Sequence, residues 1–244
     1  MYSHRVTLAT SLGPADLAFT DRYGGVSGSP YDELNLAISG GDDDTAKAEN
    51  RRRLLADFAP DDVLCDLHQV HGAEVVLATP EWSERPHADG IVATTPGLTL
   101  LVRAADCVPV LLVAPDQGVV GAAHSGRPGL VAGVVPATVA RMRDLGAGRI
   151  EGWIGPHVCG RCYEVPEQMR ADVAAVVPDS YAETSWGTPS IDLGAGVRAQ
   201  LEELDVAVHD VSRCTRESDD LYSYRRDGER AGRLAAVVRL GADT

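Results

Sequence analysis

Three apolar-rich runs in close succession, Leu98–Ala104, Val108–Ala114 and Val119–Ala123, constrain this chain more than any other feature. Each has the length of a strand rather than a helix, and none alternates strictly between apolar and polar residues. Strands of this kind lie in the interior, covered on both faces. Between the second and third runs, Pro115-Asp116-Gln117-Gly118 is a turn signal, which makes that pair a hairpin.

Shorter signals surround this centre. Residues 15–19 read as a strand and Thr20–Ser27 as a glycine-rich turn. Residues 45–57 read as a helix with Asp44 as its N-cap. Val63–Val70 and Glu74–Ala78 are strand-like on either side of a break at His71-Gly72, so they read as a hairpin or one bulged strand. Asp89-Gly90 opens a strand over Ile91–Thr94. Leu130–Leu145 has helical character and ends at Gly146. Pro166 suits the first position of a helix reaching about Val177, and Asp192 caps a helix over Leu193–Leu204. Ile150–Ile154, Val206–Val211 and Leu234–Leu240 are strands. Many strands, several in consecutive pairs, with few helices and no regular βαβ alternation, point to an α+β sandwich.

At 244 residues, 44% apolar and 24% charged, the chain can bury the core such a fold needs. No repeat or linker interrupts it, which argues for one domain over 1–244. The net charge of −14 disfavours nucleic-acid binding but leaves room for a small phosphate-bearing ligand in a local arginine cluster. No apolar run approaches the ~20 residues of a membrane span. The first residues, Met1 to Arg5, lead into short apolar pieces broken by Thr7, Ser11 and Pro14, unlike a secretory signal. A cytoplasmic location is expected. Five cysteines (65, 107, 159, 162 and 214) without an export signal argue against a disulfide framework.

Cys107 and His124 flank the central hairpin at the same end. A two-residue loop at Pro115-Asp116 puts them directly opposite each other. A longer loop shifts the register by about two residues and makes them diagonal neighbours, in either case ~4.5–8 Å apart. They can share a metal or form a thiol–imidazole pair. His71, beside Gly72 at a strand break, is the natural third partner. A Cys-His-His set suits zinc with a fourth position open, although spacing alone does not bring His71 to the other two. Asp106, preceding Cys107, reads as an acceptor for a ligand histidine or a proton shuttle, and equally as a turn cap. Cys159-Gly160-Arg161-Cys162 has knuckle spacing but shows no second pair in sequence, so packing is the expectation.

His68-Gln69-Val70-His71-Gly72, Ala105-Asp106-Cys107-Val108-Pro109-Val110 and Ala123-His124-Ser125-Gly126-Arg127 together resemble the bacterial purine nucleoside phosphorylase or laccase-domain (YfiH-like) family, formerly called multicopper polyphenol oxidases. The match continues through Thr20–Ser27, Leu34-Asn35-Leu36, Gly41-Asp42-Asp43, Glu49-Asn50-Arg51, Trp153-Ile154-Gly155-Pro156, Cys162-Tyr163-Glu164-Val165 and Ser223-Tyr224-Arg225-Arg226. The resemblance implies a four-layer α+β sandwich of packed mixed sheets with flanking helices. It implies Zn2+ at His71, Cys107 and His124, with Cu2+ as the alternative. It implies phosphorolysis of adenosine, inosine, guanosine and methylthioadenosine, and deamination of adenosine. Its partners are then a purine nucleoside and phosphate, in a monomer or homodimer. Cys107 and Asp106 are the catalytic candidates, and Asn35, Arg51, Arg225 and Arg226 the substrate-binding ones. The family commonly carries a histidine before Gly-Asp-Asp, where this chain has Ser39. Two rival readings are a copper-dependent polyphenol oxidase, for which seven histidines are few, and a metal-free Cys–His hydrolase or deamidase with Cys107 as nucleophile.

Overall fold

The computed structural model describes residues 1–241. In chain order, β1 (Tyr2–Thr10) and β2 (Gly13–Thr20) precede α1 (Asp44–Phe58), followed by β3 (Val63–Asp66), β4 (Val75–Leu77) and β5 (Gly90–Ala93). The central runs form β6 (Leu98–Ala104), β7 (Val108–Ala114) and β8 (Val119–Ser125). Next come α2 (Arg127–Ala132), α3 (Val134–Asp144), β9 (Glu151–Ile154), α4 (Glu167–Ala174), β10 (Tyr181–Glu183) and β11 (Pro189–Ile191). The chain closes with α5 (Leu193–Glu203), β12 (Ala207–Asp210), α6 (Tyr224–Asp227) and β13 (Leu234–Leu240). No described helix is long and apolar enough to cross a membrane.

Two mixed sheets carry the molecule. One runs β1-β2-β13-β6-β3 and the other β12-β9-β7-β8-β5-β4, with β10-β11 as a separate ribbon. Three apolar clusters separate four layers. Leu54 and Phe58 of α1 pack on Ala18, Leu101 and Val237 of the first sheet. Leu17, Leu100, Val102 and Val238 then meet Leu111, Val113, Val120 and Ala122 between the sheets. On the far side Val110, Leu112 and Val119 meet Val135 and Val139 of α3 and Val197 and Leu201 of α5. Alternate residues of β6, β7 and β8 thus serve different clusters, which is why these strands read as continuous apolar runs. Thr99 and Arg103 interrupt the first run, and both are buried.

Several local expectations change. β1 escapes the sequence reading because it is an edge strand with only half-buried apolar residues such as Val6 and Leu8. Asp43, not Asp44, caps α1 by accepting from Ala46 N at 2.9 Å, while Asp44 pairs with Lys47 in the first turn. The expected helix over Leu130–Leu145 is two helices, split where Gly133 adopts φ +79°. Pro166 is the N-cap of α4 rather than its first residue, and α4 ends at Ala174. Most consequentially, β3 and β4 are neither a hairpin nor one strand. β3 pairs with β6 in the first sheet and β4 with β5 in the second, so the chain crosses between sheets at His71-Gly72.

Candidate functional site

The β7–β8 register pairs Val108 with Ser125 and Pro109 with His124. Ala114 pairs with Val119, so the loop is the longer one, and Cys107 and His124 become diagonal neighbours. The sheet crossover delivers His71 to the same place. The Cys107 Sγ and a ring nitrogen of each histidine all lie within 4.8 Å of one another. Sγ stands 3.8 Å from His71 Nε2, and the two imidazoles meet edge to face with centroids 4.8 Å apart. A tetrahedral ion with usual Zn–S and Zn–N bonds separates such S and N atoms by about 3.6 Å, so the donor set fits zinc. His124 is buried, Cys107 intermediate and His71 exposed, so the cluster opens outward through His71. A Cβ at Gly126 would fall 2.6 Å from His71 Cδ2 and 2.9 Å from Cys107 Sγ, which explains the glycine there.

Asp89 organises this cluster, and the sequence reading saw it only as a strand opener. Its Oδ1 lies 2.8 Å from His124 Nδ1, leaving Nε2 as the free nitrogen. Its Oδ2 accepts from Val70 N at 3.0 Å and Gly72 N at 2.7 Å, bracketing His71. His71 adopts φ +61°, a left-handed conformation costing roughly 1–2 kcal/mol for a residue with a Cβ. One carboxylate therefore orients one histidine of the cluster and holds the strained backbone of the other. Burial favours the neutral form of Asp89, but these hydrogen bonds outweigh it and keep the carboxyl below its usual range. Burial likewise opposes charge on Cys107, yet His124 and His71 draw the thiol down to about 6. His124 is driven up to about 9, its burial overcome by Cys107 and Asp89. Both shifts favour a thiolate–imidazolium pair.

Asp106 turns out to be a cap. Its Oδ1 accepts from Thr215 Oγ1 at 2.5 Å and its Oδ2 from Arg225 N at 2.6 Å, at the start of α6. It holds its own left-handed backbone, φ +88°, directly before Cys107. It is a positioning residue for the thiol, and Asp89 takes the histidine-accepting part expected of it.

The substrate-binding candidates separate. The Arg226 guanidinium donates to the carbonyls of Thr215, Ser218 and Leu221 and to Asp227, so it ties a loop and has no fork left for an anion. Asn35 is buried, donating to Asp42 and accepting from Ala37 N and Arg233 N. It braces a loop. Arg225 stacks over Tyr163 at 4.5 Å and donates to Glu164 O, and it reaches toward the Cys107 end of the sheet only through its backbone N–H, which donates to Asp106 Oδ2. Arg51 is different. With Lys47, Arg85 and Arg103 it lines a cleft of about 200 Å³, closed by Leu36, Ala37, Ile38 and Ala48 and by one carboxylate, Asp44, which is paired with Lys47. Arg103 is buried, its Nη2 on Asp66 and its Nε on Leu36 O, while its Nη1 has no partner. A buried guanidinium nitrogen without an acceptor is costly, and an anion in the cleft relieves it. Gln69 clasps the peptide of Arg103, so this cleft and His71 share one segment. Ser39, exposed, follows the cleft-lining Ile38.

The four-layer α+β sandwich is shared with solved structures of YfiH-type proteins. A crystal structure of a Neisseria meningitidis protein superposes with a TM-score of 0.86 at 30% identity, covering 98% of this chain and 99% of that one. YlmD from Geobacillus stearothermophilus superposes at 0.84, with 30% identity over 93% and 92% of the two chains. Residues 16–241 match the family described as multi-copper polyphenol oxidoreductase laccase, and the chain belongs to that family. Its relatives include proteins named purine nucleoside phosphorylase. One from Streptomyces coelicolor is 54% identical, covering 94% of this chain and 97% of the relative. YfiH of Escherichia coli is 36% identical over 90% and 91%.

Proposed function

We propose that this protein is a zinc-dependent, cytoplasmic purine nucleoside phosphorylase that also deaminates adenosine. The observation that carries the reading is the convergence of His71, Cys107 and His124 on one point, in a chain whose relatives bear that name. His71, Cys107 and His124 would hold the zinc, which would supply a Lewis-acid centre at the end of the cluster that His71 exposes. The protein's own groups do the rest. Asp89 keeps His124 in the tautomer that presents Nε2. Asp106 holds the turn that aims Cys107. The cationic cleft at Arg51 and Arg103 binds phosphate, within a surface whose net charge of −14 otherwise repels it. Adenosine, inosine, guanosine and methylthioadenosine are the nucleosides in view.

The test is product analysis by mass spectrometry on adenosine, with and without phosphate, beside Cys107→Ala. Adenine that requires phosphate, together with inosine that does not, is the expected result for the native protein alone. No product from zinc-loaded protein refutes the proposal. A second reading rests on the thiolate–imidazolium pair backed by Asp89, the arrangement of a Cys–His–Asp hydrolase without metal. Chelation separates the two, since it abolishes a zinc enzyme and leaves a thiol hydrolase working. A multicopper centre finds less support: among the described residues, one ligand cluster contains histidine, and it contains two.

A further inference from the structure

Cys159, Cys162, Cys214 and Glu217 gather beside Asp106, whose carbonyl accepts from Val158 N and whose carboxylate accepts from Thr215 Oγ1. Their three sulfurs and a carboxylate oxygen all lie within 4.8 Å of one another. Cys159-Gly160-Arg161-Cys162 is a tight turn closed by Cys162 N donating to Cys159 O at 2.9 Å. Cys214-Thr215-Arg216-Glu217 repeats that form, with Glu217 N donating to Cys214 O at 3.2 Å. The two turns are held face to face. His157 N donates to Arg213 O and Thr215 N to His157 O, while Cys162 Sγ donates to Glu217 Oε1 at 3.4 Å. A zinc knuckle is this arrangement, two turns each offering ligands at i and i+3. The second half is invisible to a search for cysteine pairs because its fourth ligand is a glutamate 58 positions beyond Cys159.

We infer that these four residues form a second metal site, a structural one of Cys3Glu type for a soft divalent cation of the zinc class. Sulfurs on a tetrahedral zinc ion are about 3.8 Å apart, which the cluster accommodates with little movement. Binding releases the three thiol protons to solvent and forms three metal–sulfur bonds and one metal–oxygen bond. Three thiolates, one carboxylate and a divalent ion leave two negative charges, and two arginines stand by to offset them. Arg161 Nη2 lies 4.0 Å from Glu217 Oε2, and Arg216 donates to Cys162 O at 3.4 Å. The three thiolate ligands favour zinc over oxygen-seeking magnesium or calcium. The position gives the site a purpose. Thr215, inside the second turn, donates to Asp106, which directly precedes Cys107. An ion here pins the loop that seats the catalytic thiol.

The experiment counts zinc by mass spectrometry in purified full-length protein, in native and Cys107→Ala backgrounds. The native chain is expected to hold about two ions and Cys107→Ala about one, with Cys214→Ser removing one from each. Cobalt replacement in Cys107→Ala provides a second readout. It should show thiolate-to-cobalt charge transfer with tetrahedral d–d bands, absent from the double variant with Cys214→Ser. Should Cys214→Ser fail to fold, alkylation mapping of unmutated protein decides, with zinc expected to shield Cys159, Cys162 and Cys214. Zinc counts unchanged by Cys214→Ser, thiols equally reactive with and without zinc, or a Cys159–Cys214 or Cys162–Cys214 disulfide in place of metal would each overturn the site. Loss of the Cys107 ion alone bears on the proposed enzyme and leaves this inference standing.

Discussion

The His71–Cys107–His124 cluster and the Cys159–Cys162–Cys214–Glu217 cluster both collect soft ligands, and their backbones do so in opposite ways. The first draws on a sheet crossover and the open end of a hairpin, and His71 and the residue before Cys107, Asp106, have left-handed backbones. Each is restrained by a carboxylate, Asp89 or Asp106 itself. The second is assembled from two ordinary turns, with no left-handed residue among its ligands. Strain of roughly 1–3 kcal/mol per position persists where geometry serves a reaction. A structural staple needs only proximity, which a pair of turns provides without strain.

The sharpest way to break this contrast is chemical. In metal-stripped protein Cys107 sits at about 6 and is charged at neutral pH, whereas burial and the neighbouring Cys214 and Cys159 push Cys162 up to about 12. Iodoacetamide should therefore label Cys107 on the order of a thousandfold faster at pH 7, the thiolate being the reacting form. The Cys107 rate should rise as pH climbs through 6 and then level off, while that of Cys162 keeps rising well above pH 9. Equal rates, read by peptide mapping, would mean that the two sites are not electrostatically distinct.

His124→Ala should abolish zinc binding at the Cys107 centre along with turnover, and His157→Ala should spare that zinc, because His157 is engaged with Gly155 O. Metal analysis and product formation check both. Asp89→Asn should weaken zinc binding or activity by about 10–100-fold, the range for a residue that orients a ligand histidine. It should also destabilise the fold by about 1–3 kcal/mol, since an amide accepts on one side only and cannot replace all three bonds of the carboxylate, to His124, Val70 N and Gly72 N. Chelator competition and denaturant melts measure these. The smallest effect distinguishes the arginines. Arg51→Ala should raise KM for phosphate about tenfold with kcat nearly unchanged, one lost charge-assisted contact. Arg226→Ala should leave KM alone and lower stability. The reverse pattern would remove the Arg51 cleft from the active site.

Much of this molecule was legible in one dimension. β6, β7 and β8, the hairpin turn, the cap at Asp192 and the placement of Cys107 beside His124 follow from local pattern, because strand burial and turn chemistry are properties of neighbouring residues. The strand break at His71-Gly72 offered His71 as a candidate and the resemblance implied it as a ligand, but its spacing could not bring it to Cys107. Only the crossing of the chain between two sheets did that, and only layer packing placed Asp89 under His124, sealed Arg226 among carbonyls and set Cys214-x-x-Glu217 against Cys159-x-x-Cys162. Periodicity reports which side of a strand is buried. It is silent on which distant segment does the burying, and Asp89, which orients His124, comes from such a segment.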